Sequence, residues 1–349
     1  MKSRNRLLKA FLFIGSYVML SSFAFAPVHA QDLSNKSVSI MVGGAGGGYD
    51  LYSRFLAPFL GRHLPGSPQV VVKNMPGAGT LQVANFIYSV ATKDGLTIGA
   101  IDGSNSVGHL LKSQGVQFDP RNFVWIGNMN AEVAVIIGWH TSKIKTFDQV
   151  FAHEMIMGSA GPTSGSTVFA NVLNNLIGTR FKLVTGYPGT NDMLLAMERG
   201  EIEGIPSVNL SSLVGARPNW IKDKNVSILL QIGNARHPSL PEVPLVHDFA
   251  KSDEQRQIMK LIFMAPELGR PFVAPPGLSP ELSAAHRKAF DEAMTDPHLL
   301  QEANRRNIEL FNPSRGEDIN RRITELYEIP QEIVEKASRL TGVAASRPR

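Results

Sequence analysis

The residues with the clearest chemical potential are Gly46-Gly47-Gly48-Tyr49-Asp50, directly after a short apolar run. Successive glycines reach backbone conformations closed to other residues and let a ligand approach the peptide planes closely. Where such a turn opens a helix, the first amides face outward and the helix dipole favours an anion. Asp50 either caps that helix or orients the loop through backbone hydrogen bonds. Its carboxylate would repel an acidic ligand unless a proton, water or donor intervened. Tyr49 either points at a ligand or packs against the fold. Two further turns share this setting. Asn74-Met75-Pro76-Gly77-Ala78-Gly79-Thr80 bends tightly through proline and glycine, with Thr80 placed to cap the next helix. Asp102-Gly103-Ser104-Asn105-Ser106 follows an apolar run ending at Ile101. If the preceding strands are parallel, all three turns emerge at one sheet edge, where α/β proteins bind ligands.

A second group of polar turns lies further along. Gly158-Ser159-Ala160-Gly161-Pro162-Thr163-Ser164-Gly165-Ser166-Thr167 offers hydroxyls and amides able to hold carboxylate oxygens, although a plain helix cap and linker uses the same residues. Gly186-Tyr187-Pro188-Gly189-Thr190-Asn191-Asp192 adds a phenol and an amide that both donates and accepts. Thr190 or Asn191 equally suits a helix cap.

Competing chemistries lack their patterns. A dinucleotide fingerprint read from Gly44 puts Tyr49 at its last glycine position, and one read from Gly46 puts Leu51 there. There is no G-x-x-x-x-G-K-[ST] phosphate loop and no G-x-S-x-G nucleophile elbow. Ser164 therefore reads as a helix-start donor rather than a nucleophile. His109, His140, His153, His237 and His247 are scattered without metal-ligand spacing, and the absence of cysteine excludes disulfides and thiolate chemistry. Neither a metal nor a cofactor is expected, and a hydrolase or lyase is a minor alternative.

The chain starts with Lys2, Arg4, Arg6 and Lys9, continues through a largely apolar stretch over 10–26, and reaches Val28-His29-Ala30. That order predicts a secretory signal over 1–30, cleaved after Ala30, and a periplasmic protein. Removing it takes away four Lys/Arg and no Asp/Glu, so the formal charge falls from +5 to +1. Near-balanced charge argues against nucleic-acid binding. No later uninterrupted apolar run approaches the roughly 18 residues of a membrane span.

The elements that must position these turns follow an α/β grammar of apolar run, Gly-rich turn and helix-compatible stretch. In a first α/β domain we expect strands at 38–42, 70–72, 96–101 and 133–137, with helices at 49–60 and 81–91. A second sheet is expected from 154–157, 181–184 and 226–232, separated by helices at 167–177 and 192–199. Ser279-Pro280 supplies a cap and first position for a helix to about 294. Beyond Pro313, Arg321, Arg322, Glu325, Glu328, Glu332, Glu335 and Lys336 mark an amphipathic helical cover over the first sheet, interrupted at Pro330.

Several of these segments together resemble the Bug or TctC receptors of tripartite tricarboxylate transporters. The resemblance rests on G-G-x-x-D at Gly46-Gly47-Gly48-Tyr49-Asp50, N-x-P-G-A-G at Asn74 to Gly79, and D-G-[YL]-T at Asp94-Gly95-Leu96-Thr97. It extends to Tyr187-Pro188-Gly189 and to the V-A-P-P-G-L-S-P run that ends at Pro280. Ala45, Thr80 and Pro188 depart from the family's common proline, glycine and lysine. The resemblance implies a two-domain periplasmic-binding-protein (Venus flytrap) fold with a hinge and an interdomain ligand cleft. It divides the chain into a first domain over 31–138, a second over 139–247, and a return over 248–349 that completes the first. Gly47, Gly48, Tyr49, Asp50, Gly79, Ser104 and Asn105 would form one wall of the cleft. Ser159, Ser164, Gly165, Tyr187, Gly189, Thr190 and Asn191 would form the other. The implied function is capture of a small carboxylate by a monomeric receptor and its delivery to integral membrane permease subunits. A receptor presenting its closed form to a membrane sensor is the alternative.

Overall fold

The computed structural model describes residues 32–342 except 47, 76–79, 114, 160–163, 188 and 234. The expected export signal, Gly47 and Gly79 lie outside the described residues. The chain begins with β1 (Ser37–Val42), α1 (Gly48–His63), β2 (Gln69–Asn74), α2 (Leu81–Ser89), β3 (Thr97–Ala100), α3 (Asn105–Gly108) and β4 (Val124–Asn128). It continues with β5 (Ala134–Trp139), β6 (Met155–Ser159), α4 (Gly165–Ile177), β7 (Phe181–Thr185), α5 (Thr190–Glu198), β8 (Gly204–Asn209), α6 (Leu210–Ala216), β9 (Val226–Ile232) and α7 (Asp253–Ile262). It closes with β10 (Pro271–Ala274), α8 (Pro280–Thr295), α9 (Pro297–Arg306), β11 (Ser314–Arg315), α10 (Gly316–Leu326) and α11 (Gln331–Leu340).

These strands form two mixed sheets. The first runs β11-β4-β10-β3-β1-β2 and the second β7-β6-β8-β5-β9. β1 pairs in parallel with both β2 and β3, and β6 in parallel with both β7 and β8. In β1, Val38, Ile40 and Val42 on one face are fully buried and Ser39 on the other is buried too, as expected of a strand covered on both faces. α1 buries Tyr52, Phe55, Leu56, Phe59 and Leu60, a helical stripe that packs on the sheet and α8. At Gly127 of β4 a β-carbon would stand 2.1 Å from the Phe290 ring, so only glycine lets α8 lie this close. Ser279 accepts from the Leu282 amide at 3.2 Å and Pro280 starts α8, as the sequence predicts.

Three expectations need correction. The strand expected at 133–137 in the first domain is β5, which pairs with β8 and β9 and so belongs to the second sheet. A uniformly apolar strand carries no mark of which sheet it enters. Thr80 precedes α2 with φ 71° and makes no side-chain cap; its hydroxyl is taken by other loops. The C-terminal cover divides at Pro330. α10 packs on β4 as expected, whereas α11 packs on α4 and α7, and Asn171 donates to the Thr341 carbonyl at 3.0 Å. Among the described residues no helix is long and apolar enough to cross a membrane.

Candidate functional site

Because β1, β2 and β3 are parallel, their carboxyl ends share one edge of the first sheet. The loops above that edge are joined by side chains. Asp50, only 5% exposed in the first turn of α1, accepts from the Gly46 amide at 3.0 Å, Asn74 Nδ2 at 2.8 Å and Arg54 Nε at 3.0 Å. Asn74 Nδ2 also donates to the Gly43 carbonyl at 3.0 Å, which ties the first and second loops together. The bond from Arg54, with those from Gly46 and Asn74, holds the Asp50 carboxyl down at about 2. Asp50 is thus an anionic staple of the loop, with its oxygens directed to internal donors.

The third loop joins through Tyr49, whose hydroxyl donates to Asp102 Oδ2 at 2.9 Å. Burial and then the Asp102 carboxylate push the Tyr49 phenol well above its usual range, so it stays a donor. Asp102 Oδ1 accepts from the Ser104 amide at 2.8 Å and the Ser104 hydroxyl at 2.6 Å, closing a local turn. Thr80 Oγ1 accepts from the Asp102 amide at 2.6 Å and from buried Asn105 Nδ2 at 3.2 Å. Gly48, Tyr49, Asp50, Ser104 and Asn105 therefore lie in one cluster, held by Asp102, Arg54 and Thr80, which were not among the expected site residues. Of these, Arg54 had a sequence signal, since it stands four residues after Asp50 on one helical face.

The second sheet builds a similar edge at the ends of β6 and β7. The Ser159 carbonyl accepts from the Gly186 amide at 3.0 Å and the Tyr187 amide at 3.3 Å, joining the two loops. Ser159 Oγ, fully buried, bonds Thr167 Oγ1. Ser164 caps α4, accepting from the Thr167 amide at 3.4 Å, and Gly165 follows as the first helical residue. α5 starts differently: Gly189 is its N-cap and no side chain caps it. The side chains of Thr190 and Asn191 and the Tyr187 hydroxyl make no hydrogen bond with a described residue. Burial and then Glu201 raise the Tyr187 phenol, leaving it a neutral donor.

No direct hydrogen bond among the described residues joins the two loop clusters. The chain passes between the two sheets at the crossovers over 129–133 and 263–270, which bond to each other from the Met129 amide to the Arg270 carbonyl at 3.1 Å. Glu132 and Arg270 are 2% and 4% exposed and form an ion pair at 2.8 Å, and Ser211 of α6 donates to Glu132 Oε1 at 2.7 Å. The histidines do not converge. His109 stacks on Tyr327 and His237 bonds Glu309 at 2.9 Å, and among the described residues no group of three or more His, Asp or Glu is placed to hold a metal.

Solved structures share this architecture. A TctC solute-binding protein from Polaromonas is 19% identical with a TM-score of 0.65, over 86% of this chain and 98% of that one. The periplasmic binding protein BugD is 19% identical with a TM-score of 0.62, over 86% and 97%. MatC of Rhodopseudomonas palustris, solved with malate, is 17% identical with a TM-score of 0.59, over 87% and 98%. A second protein of Rhodopseudomonas palustris, solved with adipate, is 15% identical with a TM-score of 0.63, over 88% and 98%. At these identities the likeness concerns the periplasmic-binding-protein fold. No curated protein matches the sequence. The sequence model of the tripartite tricarboxylate transporter family receptors matches residues 63–338, and the chain belongs to that family.

Proposed function

We propose that this receptor captures a small carboxylate in the periplasm and delivers it, as a monomer, to integral membrane permease subunits. In this reading residues 1–30 are a signal removed after Ala30, and the two domains divide along the two sheets, with the crossovers as hinge. The loop clusters form opposite walls of the cleft. The first wall is Gly47, Gly48, Tyr49, Asp50, Gly79, Ser104 and Asn105; the second is Ser159, Ser164, Gly165, Tyr187, Gly189, Thr190 and Asn191.

One observation carries the reading: the wall side chains left open, Tyr187, Thr190 and Asn191, carry uncharged donors, while the buried carboxylate of Asp50 in the first loop is satisfied internally. Amides, hydroxyls and a neutral phenol hold an anion without the desolvation cost of a second full charge. Relatives of the same fold solved with malate and adipate support a dicarboxylate of four to six carbons. Closure would put donors from both edges around it, stabilising the closed form by the difference in affinity between closed and open states.

The test is the thermal midpoint of refolded, ligand-free protein against malate, succinate, glutarate, adipate and aromatic acids at matched salt and pH. A ligand at about 100 times its dissociation constant adds roughly 2.7 kcal/mol. A saturable rise with one acid is the expected result. No rise across the panel would sink the carboxylate reading.

A further inference from the structure

A buried chain of contacts through Arg270 links the first loop cluster to α6, which follows β8 of the second sheet. Its Nη2 stands 2.8 Å from Glu132 Oε1, and Ser211, in the first turn of α6 above β8, donates to both Glu132 oxygens at 2.7 and 2.8 Å. On its other side Arg270 lies under the first-sheet loop. The guanidinium carbon is 4.9 Å from the Tyr49 ring centre and 4.8 Å from that of Tyr52, and a β-carbon at Gly48 would stand 2.8 Å from Nη2. Gly48 is thus needed for the close approach of loop and cation. Arg270 Nε is buried with no partner among the described residues.

A buried ion pair is a poor source of stability, because desolvation of both ions offsets their attraction. An apolar pair would fill the same space. What the arginine adds is a fixed fork, two aromatic stacking faces and a positive charge in a low-dielectric setting behind the glycine loop. We propose that Arg270 is a positioning residue for solute capture. It supports Gly48 and Tyr49 from behind and, through Glu132 and Ser211, ties them to the orientation of the second sheet. This rests on the reading of the loop as a solute site.

The chain has no cysteine, so Val90→Cys at the end of α2, which packs on the first sheet, and Lys182→Cys on β7 of the second, both exposed, can carry a pair of spin labels. Pulsed electron resonance then reads the distance distribution between sheets without solute, and calorimetry reads affinity for malate and adipate. Ser211→Ala keeps the ion pair and should shift or broaden the solute-free distribution and weaken binding about tenfold. Arg270→Lys keeps the charge but loses the fork, and should do the same more strongly. Arg270→Met should abolish binding; if it fails to fold, the other two variants carry the test. Solute-free distributions and affinities equal to wild type in Ser211→Ala and Arg270→Lys would overturn the proposal. If wild type binds neither acid, the solute reading fails separately, and the solute-free distributions still decide whether Arg270 couples the sheets.

Discussion

In the loops above β1, β2 and β3, side chains already satisfy one another. Asp50 collects donors from Gly46, Asn74 and Arg54, Tyr49 reaches across to Asp102, and Thr80 receives both Asp102 and Asn105. In the loops above β6 and β7, the start of α4 is similarly knit by Ser159, Ser164 and Thr167, but the start of α5 is left open. The described polar side chains of the first region are already paired, so on the proposed function a bound solute need not order them. In the second region the side chains of Thr190 and Asn191 remain available to a solute. If the proposed function holds, preorganisation of the first cluster reduces the ordering cost of binding, while the open start of α5 lets affinity respond to closure. The difference separates substitutions that act on stability from those that act on capture alone.

The sharpest test is Asp50→Asn. It should destabilise the protein by about 2 kcal/mol in urea at pH 7 and abolish solute binding, because charge-assisted acceptors are removed from three donors. The pH dependence has a definite sign. Asp50 titrates at about 2 when folded against 3.8 ordinarily, so its contribution is full above about pH 4 and is lost as pH falls toward 2. The stability gap between wild type and Asp50→Asn should therefore close over that interval, read from urea midpoints. A gap constant down to pH 2 would mean that Asp50 does not staple the loop.

Next in size is Gly48→Ala. Its methyl group must displace an Arg270 guanidinium pinned by Glu132, and overpacking of this kind costs about 1–3 kcal/mol. Tyr49→Phe should cost about 1 kcal/mol by removing the bond to Asp102, with a matching drop in urea midpoint. The smallest stability effect should come from Thr190→Ala combined with Asn191→Ala. Unfolding should change by less than about 0.5 kcal/mol while malate or adipate affinity falls about tenfold. If that pair instead lowers the urea midpoint and leaves affinity intact, the contrast between the walls is wrong.

Much of this arrangement was legible in the residues. The glycine turns after apolar runs marked the ends of β1, β2 and β3, and Ser279-Pro280 marked the start of α8. The open reading of Asp50 resolved toward loop orientation. β4, β8 and β10 were harder to see, since each is short and contains glycine or proline, which weakens any strand signal. Thr80 looked like a cap by position, yet its left-handed backbone turns the hydroxyl to Asp102 and Asn105. Arg270 gave no local sign at all, being more than 130 residues from Glu132 and more than 220 from Gly48 and Tyr49 in the sequence.

The sequence by itself determined the local conformations and their chemistry: which turns are glycine-rich, which helices start there, and that the candidate turns carry hydroxyls and amides and no thiol. These are set by residue type over a few positions, where glycine, proline and capping preferences act directly. Only the tertiary structure decided which sheet β5 joins, that α11 leaves the first sheet for α4 and α7, and that Asp102, Arg270 and Glu132 stand behind the candidate site. Those outcomes depend on burial and pairing between distant segments, and a buried charge reveals its partner only when the fold removes water from both.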